Sequence, residues 1–322
     1  MQCDDRKLIV YLYSILKLII LYTKINLTKQ LTAVNMMLEN EAAAVFRGFG
    51  QIMLQENAIT GLFFLIGVAF NSLTLLIGLV CGGIVGHVSA KLFKFDPADI
   101  ATGSYGFNGA LVGGGLSFFH GIGLSSIALI LVGGILSALI MQQILHWGRL
   151  PPYTAPFVIA MWLMLFIADV LALGDIAPTA DSGQVGEFWV LARGVGQVMF
   201  QNHWLTGVIF IVGIALNSLT TAAWALIGSA IGLVTARSLG FPDDFINNGL
   251  YGFNAVLVAI ALSSQFPKQA AVPLFGIVLS VLMTRGFQLS GLPSLTAPFI
   301  LSAWMMALVV IYFQAKAKVT DD

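Results

Sequence analysis

The feature that most constrains this chain is that it repeats itself at a fixed offset. The segment RGFGQIMLQ at 47–55 returns as RGVGQVMFQ at 193–201, which is 146 residues further on. Two more motifs share this offset: NSLT at 71–74 and 217–220, and YGFN at 105–108 and 251–254. An ordered series of matches in one register is not expected by chance. It indicates that the chain consists of two related halves.

The sequence carries too few charges to cover a surface that faces water. Of 322 residues, 58% are hydrophobic and 9% are charged, and the mean hydropathy is +0.92. A soluble domain carries about 25% charged residues, so this composition predicts an integral membrane protein whose outer surface contacts membrane lipid. The net charge of zero gives no reason to expect a nucleic-acid partner. Cys3 and Cys81 share no motif spacing, so no metal site or cofactor is expected.

Each half contains five apolar segments after its RGxGQ motif. They lie near 58–71, 73–92, 103–119, 124–145 and 155–173 in the first half, and near 204–217, 219–238, 249–266, 270–288 and 297–315 in the second. An odd number of crossings turns the second half upside down. We therefore predict an all-α membrane protein of two inverted repeats with five transmembrane helices each, an arrangement whose solute sites lie near the bilayer midplane.

Charge placement predicts the orientation and the boundaries of the halves. With the N-terminus inside, the cytoplasmic connections hold most of the lysines, whereas the acidic linker with Asp175, Asp181 and Glu187 lies outside. This distribution follows the positive-inside rule and predicts that both termini are cytoplasmic. The expected divisions are an N-terminal extension at 1–38, a first half at 39–180, a second half at 181–316 and a C-terminal tail at 317–322.

The extension has no counterpart in the repeat. Its apolar stretch from Leu8 to Tyr22 is short for a membrane span. Either it forms an amphipathic helix at the membrane interface, or it results from an early start codon, since Met36 and Met37 immediately precede the repeated region.

Small residues spaced four residues apart predict close contacts between helices. Gly78, Gly82, Gly86 and Ala90 form such a series, and the second half repeats most of it. In membranes, small residues let two helix backbones approach closely. We interpret this series as a packing face.

A proline motif occurs in both halves, as LPPYTAPF at 150–157 and LPSLTAPF at 292–299. Two prolines five residues apart remove backbone donors and leave carbonyl groups open. At membrane depth, such backbone is tolerated only inside protein or along a wet cavity. We expect the two copies to face each other, with Thr154 and Thr296 presenting hydroxyls beside open carbonyls. A pair of ordinary proline kinks is the alternative.

Two further pairs are candidates for the wall of a solute pathway. Gln51 and Gln197 lie in short apolar segments of a length that often re-enters the membrane without crossing it; bonding to a neighbouring helix is the alternative. Phe107 and Phe253 follow Tyr-Gly in both repeats, and we weigh a pore-lining role equally against a core role. Intramembrane charges usually mark ion pathways, and the central segments are almost free of them, so a neutral polar solute is expected.

These motifs resemble those of the urea transporter family, whose duplicated signature matches 150–157 and 292–299, and the resemblance covers about 39 to 315. It implies two inverted five-helix halves, a re-entrant pore helix in each half, and a homotrimer with one pore per subunit. It also implies that Gln51 and Gln197 accept hydrogen bonds from urea, that Phe107 and Phe253 form a flat slot, and that Thr154 and Thr296 line the narrow centre. An aromatic position of the family reads Phe200 in the second half but Leu54 in the first, which leaves fine selectivity open.

The predicted function is passive passage of urea through an uncharged pore in the cell membrane, with a bacterial inner membrane as the expected location. The alternatives are a channel for another small neutral solute, such as ammonia, a short amide or water, and an ion-coupled carrier on the same scaffold. A membrane enzyme would need a nucleophile–base or metal constellation, and the repeats contain only amides, hydroxyls and rings. No catalytic residue is therefore predicted.

Overall fold

A computed structural model of the chain describes residues 39–174 and 186–321, with side chains as far as residue 316. The chain divides into two units, residues 1–43 and 44–322, and every contact given below lies within the larger unit. The predicted interfacial helix of the N-terminal extension lies outside the described residues. So do Asp175 and Asp181 of the acidic linker.

The described ranges are helical and contain no strand. The first half holds α1 (39–51), α2 (Ala58–Asn71), α3 (Leu73–Leu92), α4 (Pro97–Ala101), α5 (Gly106–His120), α6 (Leu124–Trp147) and α7 (Ala155–Val170). The second half holds α8 (Glu187–Gly196) with a 3₁₀ turn (Gln197–Met199), α9 (Trp204–Asn217), α10 (Leu219–Ser238), α11 (Asp243–Asn247), α12 (Phe253–Gln265), α13 (Ala271–Ser290) and α14 (Ala297–Asp321). Each half therefore has the same order of helices.

The ten predicted apolar segments coincide with ten of these helices, but only half of the ten are long enough to span a membrane. In the described residues, α3, α6, α10, α13 and α14 are long and apolar enough to cross. A sixth span would combine α8 and α9, which meet at a bend of 76°. The helices α2, α7 and α12 have 14, 16 and 13 residues, or about 20–24 Å, against a hydrocarbon core of about 30 Å. A crossing by every segment stays a prediction.

Many large apolar side chains face outward, as lipid contact requires. Phe70, Leu73 and Leu92 are 59%, 66% and 75% exposed. A soluble protein rarely leaves apolar patches of this extent in water. The chain is therefore a multi-pass membrane protein.

The predicted packing face is confirmed where α3 crosses α5. A Cβ atom added to Gly82 would lie 2.1 Å from the carbonyl oxygen of Gly109, and one added to Gly78 would lie 2.4 Å from the carbonyl oxygen of Gly113. Real Cβ atoms do not approach an oxygen so closely. Only glycine lets these two helix backbones touch.

The two halves exchange equivalent contacts through α2 and α9. The Thr60 hydroxyl donates to the carbonyl oxygen of Gly213 at 2.9 Å, and the Thr206 hydroxyl, 146 residues later, donates to the carbonyl oxygen of Gly67 at 3.1 Å. Phe64 and Phe210, also 146 residues apart, meet with ring centroids 5.0 Å apart. Reciprocal pairs of this kind characterise an isologous contact between equivalent surfaces.

Candidate functional site

The two proline motifs meet at their threonines. Thr154 precedes α7, Thr296 precedes α14, and both side chains are buried. Their hydroxyl oxygens lie 2.7 Å apart, so one donates to the other. A hydroxyl has one donor hydrogen and two acceptor lone pairs, so the pair keeps one hydrogen and further lone pairs for another molecule.

Indole groups bind the carbonyl oxygen of the first proline in each motif. Trp304 Nε1 donates to the carbonyl oxygen of Pro151 at 2.9 Å, and Trp162 Nε1 donates to that of Pro293 at 2.9 Å. Each tryptophan belongs to the opposite half. The expectation of open carbonyls beside the threonines is therefore wrong at these two positions. Neither tryptophan was predicted from the sequence, although the two recur at the offset of the proline motif.

Asparagines of the YGFN motifs hold the starts of α7 and α14. Asn108 Oδ1 accepts from the backbone N–H of Phe157 at 3.0 Å, and Asn254 Oδ1 accepts from that of Phe299 at 3.2 Å. The first N–H groups of a helix have no partner within the helix, so the buried asparagines satisfy donors that would otherwise be orphaned. The YGFN motif thus fixes the proline motif in place.

The predicted glutamines are oriented by the short helices α4 and α11. Gln197 Nε2 donates to the carbonyl oxygen of Asn248 at 2.8 Å, and Gln51 Nε2 donates to that of Thr102 at 3.4 Å. A carbonyl oxygen accepts only, so the amide nitrogen must face it. The side-chain oxygen of each glutamine is then directed away and free to accept another donor.

Arginines one turn earlier bind the same helix ends. Arg47 Nη1 donates to the carbonyl oxygen of Ala101, and Arg193 Nη1 donates to that of Asn247, both at 2.9 Å. A positive charge is favourable at the carboxyl end of a helix, where the last carbonyls are unpaired. These contacts fix α1 and α8 against α4 and α11.

A sharp turn follows each glutamine. Leu54 and Phe200 adopt positive φ angles of 59° and 60°, which are uncommon for residues with a side chain. The bend of 76° between α8 and α9 lies at the second of these turns. The chain therefore changes direction sharply at Phe200.

Each turn is held by the opposite half. Asn71 Nδ2 donates to Gln201 Oε1 at 2.8 Å, and Asn217 Nδ2 donates to Gln55 Oε1 at 2.9 Å. Both glutamines are buried, where an unpaired amide costs about 1–3 kcal/mol. The two turns are therefore mechanically linked through the ends of α2 and α9.

A cavity of about 410 Å³ lies on the second-half side of the threonine pair. Four predicted residues line it, namely Gln197, Phe200, Phe253 and Thr296. The others that line it are Phe118, Phe119, Val198, Phe245, Leu250, Thr284, Gln288, Gly291, Leu292, Pro293, Ser294 and Leu295. Every lining residue in the described part of the chain is uncharged. The cavity suits a small neutral molecule with polar and flat faces.

Aromatic rings from both halves form one wall of this cavity. Phe118 stacks on Phe200 with ring centroids 5.3 Å apart and an angle of 29° between the ring planes, and Phe119 meets Phe118 edge-on at 5.2 Å. Offset stacking and edge contacts are the preferred geometries for such rings. The wall contains two rings, Phe118 and Phe119, that the sequence analysis did not single out.

The structure does not bring all eight predicted residues around one cavity. Gln51, Leu54 and Phe107 are outside its lining. Gln51 and Leu54 are half-buried, while Phe107 is buried in the core at 4% exposure. Thr154 reaches the cavity only through its bond to Thr296.

The acidic residue Asp99 lies in α4, in the connection between α3 and α5. Burial raises the pKa of Asp99, and the neighbouring Asp96 raises it further. The carbonyl oxygen of Asp99 accepts from the Thr102 hydroxyl at 2.8 Å, so the residue braces the turn whose carbonyl binds Gln51.

Comparison with known proteins identifies the family. A family model for urea transporters matches residues 42–311. Urea transporter 1 of Ovis aries is 27% identical over 308 residues, covering 86% of this chain and 80% of that protein. Urea transporter 1 of Rattus norvegicus is 28% identical over 309 residues with the same coverage. The chain belongs to the urea transporter family, which is a family of transporters and not of enzymes.

Proposed function

We propose that this chain is a channel-type urea transporter through which urea moves passively down its own gradient. The observation that carries the proposal is the uncharged cavity that ends at the Thr154–Thr296 pair, with Gln197, Phe200 and Phe253 in its wall. No charged group lines it among the described residues, which disfavours coupling to an ion gradient.

The lining matches the chemistry of urea. Urea is planar and neutral, with N–H donors on two sides and one carbonyl acceptor. Phe200 and Phe253 offer flat apolar faces, while the Gln197 side-chain oxygen and the threonine hydroxyls offer acceptors. Leaving one polar group of urea unpaired in an apolar passage costs about 2–7 kcal/mol, so acceptors along the wall lower the barrier. Contacts must also stay weak enough for release.

We infer that the halves, residues 39–180 and 181–316, are inverted repeats, each with a re-entrant pore helix that ends at Gln51 or Gln197. The duplicated motifs and the exchanged contacts between α2 and α9 support this. The bend after Gln197 supports re-entry in the second half. In such a fold the solute site lies near the midplane, at the interface of the repeats.

The assembly and location follow from the resemblance and from charge placement. We propose a homotrimer with one pore per subunit in a bacterial inner membrane, with both termini cytoplasmic and an outer surface in lipid. Light scattering of the detergent-purified protein measures the subunit count. A monomer or dimer as the single species would contradict the trimer.

The function is tested by stopped-flow urea efflux from proteoliposomes, with and without an imposed pH gradient. We expect efflux well above that of empty liposomes, with a rate that saturates only at high urea and does not respond to the gradient. Protein-free vesicles and vesicles with the variant T154V/T296V serve as controls. Efflux that needs a pH gradient would refute passive transport, and efflux equal to that of empty liposomes would refute urea as the solute.

The inverted topology has its own test. Phe93 and Leu239 follow α3 and α10 at equivalent positions and are 50% and 53% exposed. In a chain whose two cysteines are replaced by serine, we introduce F93C or L239C and apply a membrane-impermeant thiol reagent to sealed, oriented vesicles. Inverted halves predict labelling of the two variants from opposite sides, whereas labelling from one side would contradict the inversion.

A further inference from the structure

The phenylalanines that end the two proline motifs meet different partners. Phe200 approaches Phe157 edge-on, with ring centroids 6.5 Å apart. At the equivalent residue, Phe299, the neighbouring ring is that of Tyr153, with centroids 4.9 Å apart. The counterpart of Phe200 is Leu54. The first half thus has a leucine where the second half has Phe200. The ring that meets Phe299 comes instead from Tyr153.

The leucine and the aromatic ring change places at a second pair of equivalent positions, 153 and 295. Tyr153 stands at the position that Leu295 occupies in the second half, and both residues have a φ of 45°. A positive φ at a bulky residue is a genuine outlier, so the same unusual backbone aims both side chains. Leu295 and Phe200 line the cavity together. Each half therefore supplies one leucine and one aromatic ring at these two positions, in opposite order.

The hydroxyl of Tyr153 adds a polar feature that the second half lacks at this point. It donates to Gln265 Oε1 at 3.2 Å. The counterpart of Gln265 is Phe119, which lines the cavity beside Leu295. A polar pair on one side thus replaces an apolar pair on the other. After donating its hydrogen, the phenolic oxygen keeps lone pairs that can accept an N–H group.

We propose that Tyr153 is a specificity-determining residue of the pore, which supplies on the first-half side the flat wall that Leu54 does not. This inference rests on the proposed urea channel and deepens it. The ring selects a planar solute, and the phenolic oxygen accepts from an unsubstituted amide N–H. Urea satisfies both, whereas 1,3-dimethylurea has a methyl group in place of one N–H on each nitrogen. Tyr153 therefore favours unsubstituted planar amides over N-alkylated ones.

The test compares urea and 1,3-dimethylurea fluxes in proteoliposomes. Y153F keeps the ring and removes the hydroxyl, and Y153L copies Leu295. L54F/Y153L rebuilds the order found in the second half. Tyr312, which is 63% exposed, provides the matched control Y312L. We expect the ratio of urea flux to dimethylurea flux to fall about threefold or more in Y153L and to fall less in Y153F. In L54F/Y153L the ratio should recover towards the wild-type value. In Y312L it should stay unchanged.

The outcomes separate this inference from the function on which it rests. Wild-type protein that carries no urea would refute the proposed function. Wild-type urea flux with an unchanged ratio in both Y153F and Y153L would overturn the role of Tyr153 alone. If Y153L does not fold, the ratio in Y153F decides by itself. A ratio that fails to recover in folded L54F/Y153L would overturn the exchange of roles between positions 54 and 153.

Discussion

The hydroxyl oxygens of Thr154 and Thr296 lie 2.7 Å apart, although 142 residues separate them in the chain. The pair joins the two proline motifs, and the surrounding bonds hold it in place. Asn108 and Asn254 bind the first N–H groups of the helices that follow. The two proline motifs therefore meet in a hydrogen-bonded polar junction between equivalent elements. The effects of substitutions in this junction on stability and urea flux can be predicted.

Substitution of the two threonines by valine should affect stability and urea flux in different ways. T154V or T296V leaves the partner hydroxyl without its bond, which costs about 1–3 kcal/mol in a buried site, so each single variant should have a lower Tm than wild type. T154V/T296V leaves neither hydroxyl unpaired and should regain much of that stability. Its urea flux should nevertheless be the lowest of the three, because both acceptors are gone. Thermal unfolding in detergent and stopped-flow efflux measure the two properties. A double variant that regains both stability and flux would assign the pair a structural role alone.

The two glutamines should differ in their effect on stability. Gln197 donates to its carbonyl at 2.8 Å and Gln51 at 3.4 Å, and a hydrogen bond weakens with length. Q197L should therefore lower the free energy of unfolding by about 1 kcal/mol, and Q51L by less. Each variant should reduce urea flux, because each loses one acceptor. Equal flux in Q197L and wild type, at equal reconstitution, would remove this residue from the pathway.

Much of this arrangement was predictable because the chain carries two copies of each element. Matching motifs located both proline segments, both glutamines and both phenylalanines, and hydrophobic length located the helices. The sequence led us to expect that the two proline motifs face each other, and the direct contact between the Thr154 and Thr296 hydroxyls is what the structure adds. Four of the eight predicted site residues, among them Gln197 and Phe253, line one cavity.

The sequence alone did not show what compensates for a difference between the copies, or which bonds cross between the halves. Tyr153 has no aromatic counterpart, so the search for matching pairs passed over it. Trp162 and Trp304 do match, but their carbonyl partners lie in the opposite half, and a one-dimensional comparison contains no cross-half distances. Leu54 was recognised as a departure, yet only the ring distance between Tyr153 and Phe299 indicates how the departure is compensated.

The glycines between α3 and α5 should tolerate no side chain. In G82A the new methyl group would lie 2.1 Å from the carbonyl oxygen of Gly109, which backbone movement alone can relieve. Overpacking of this kind costs about 1–3 kcal/mol or more, so the yield of monodisperse protein and its Tm should fall. G123A is the matched control, because a Cβ there meets nothing within 4 Å. Normal yield and Tm in G82A would contradict the close contact between the helices.

The indole bonds across the halves should stabilise the junction without touching the solute. W304F keeps an aromatic ring but removes the N–H that donates to the carbonyl oxygen of Pro151, and W162F does the same at Pro293. Each freed carbonyl belongs to the first proline of its motif and would lose its indole donor. We expect the free energy of unfolding to fall by about 1 kcal/mol per variant. Since the two bonds are far apart in sequence but fix one junction, the double variant should lose more than the sum of the single losses.

The control is W147F at an indole that is 55% exposed, where the same substitution should leave the Tm nearly unchanged. Urea flux per folded molecule should fall only modestly in W304F, because the bound carbonyl faces the indole and not the solute. A large loss of flux at unchanged Tm would mean that the Pro151 carbonyl belongs to the solute pathway. In that case the indole would regulate the pathway by occupying an acceptor that urea would otherwise use.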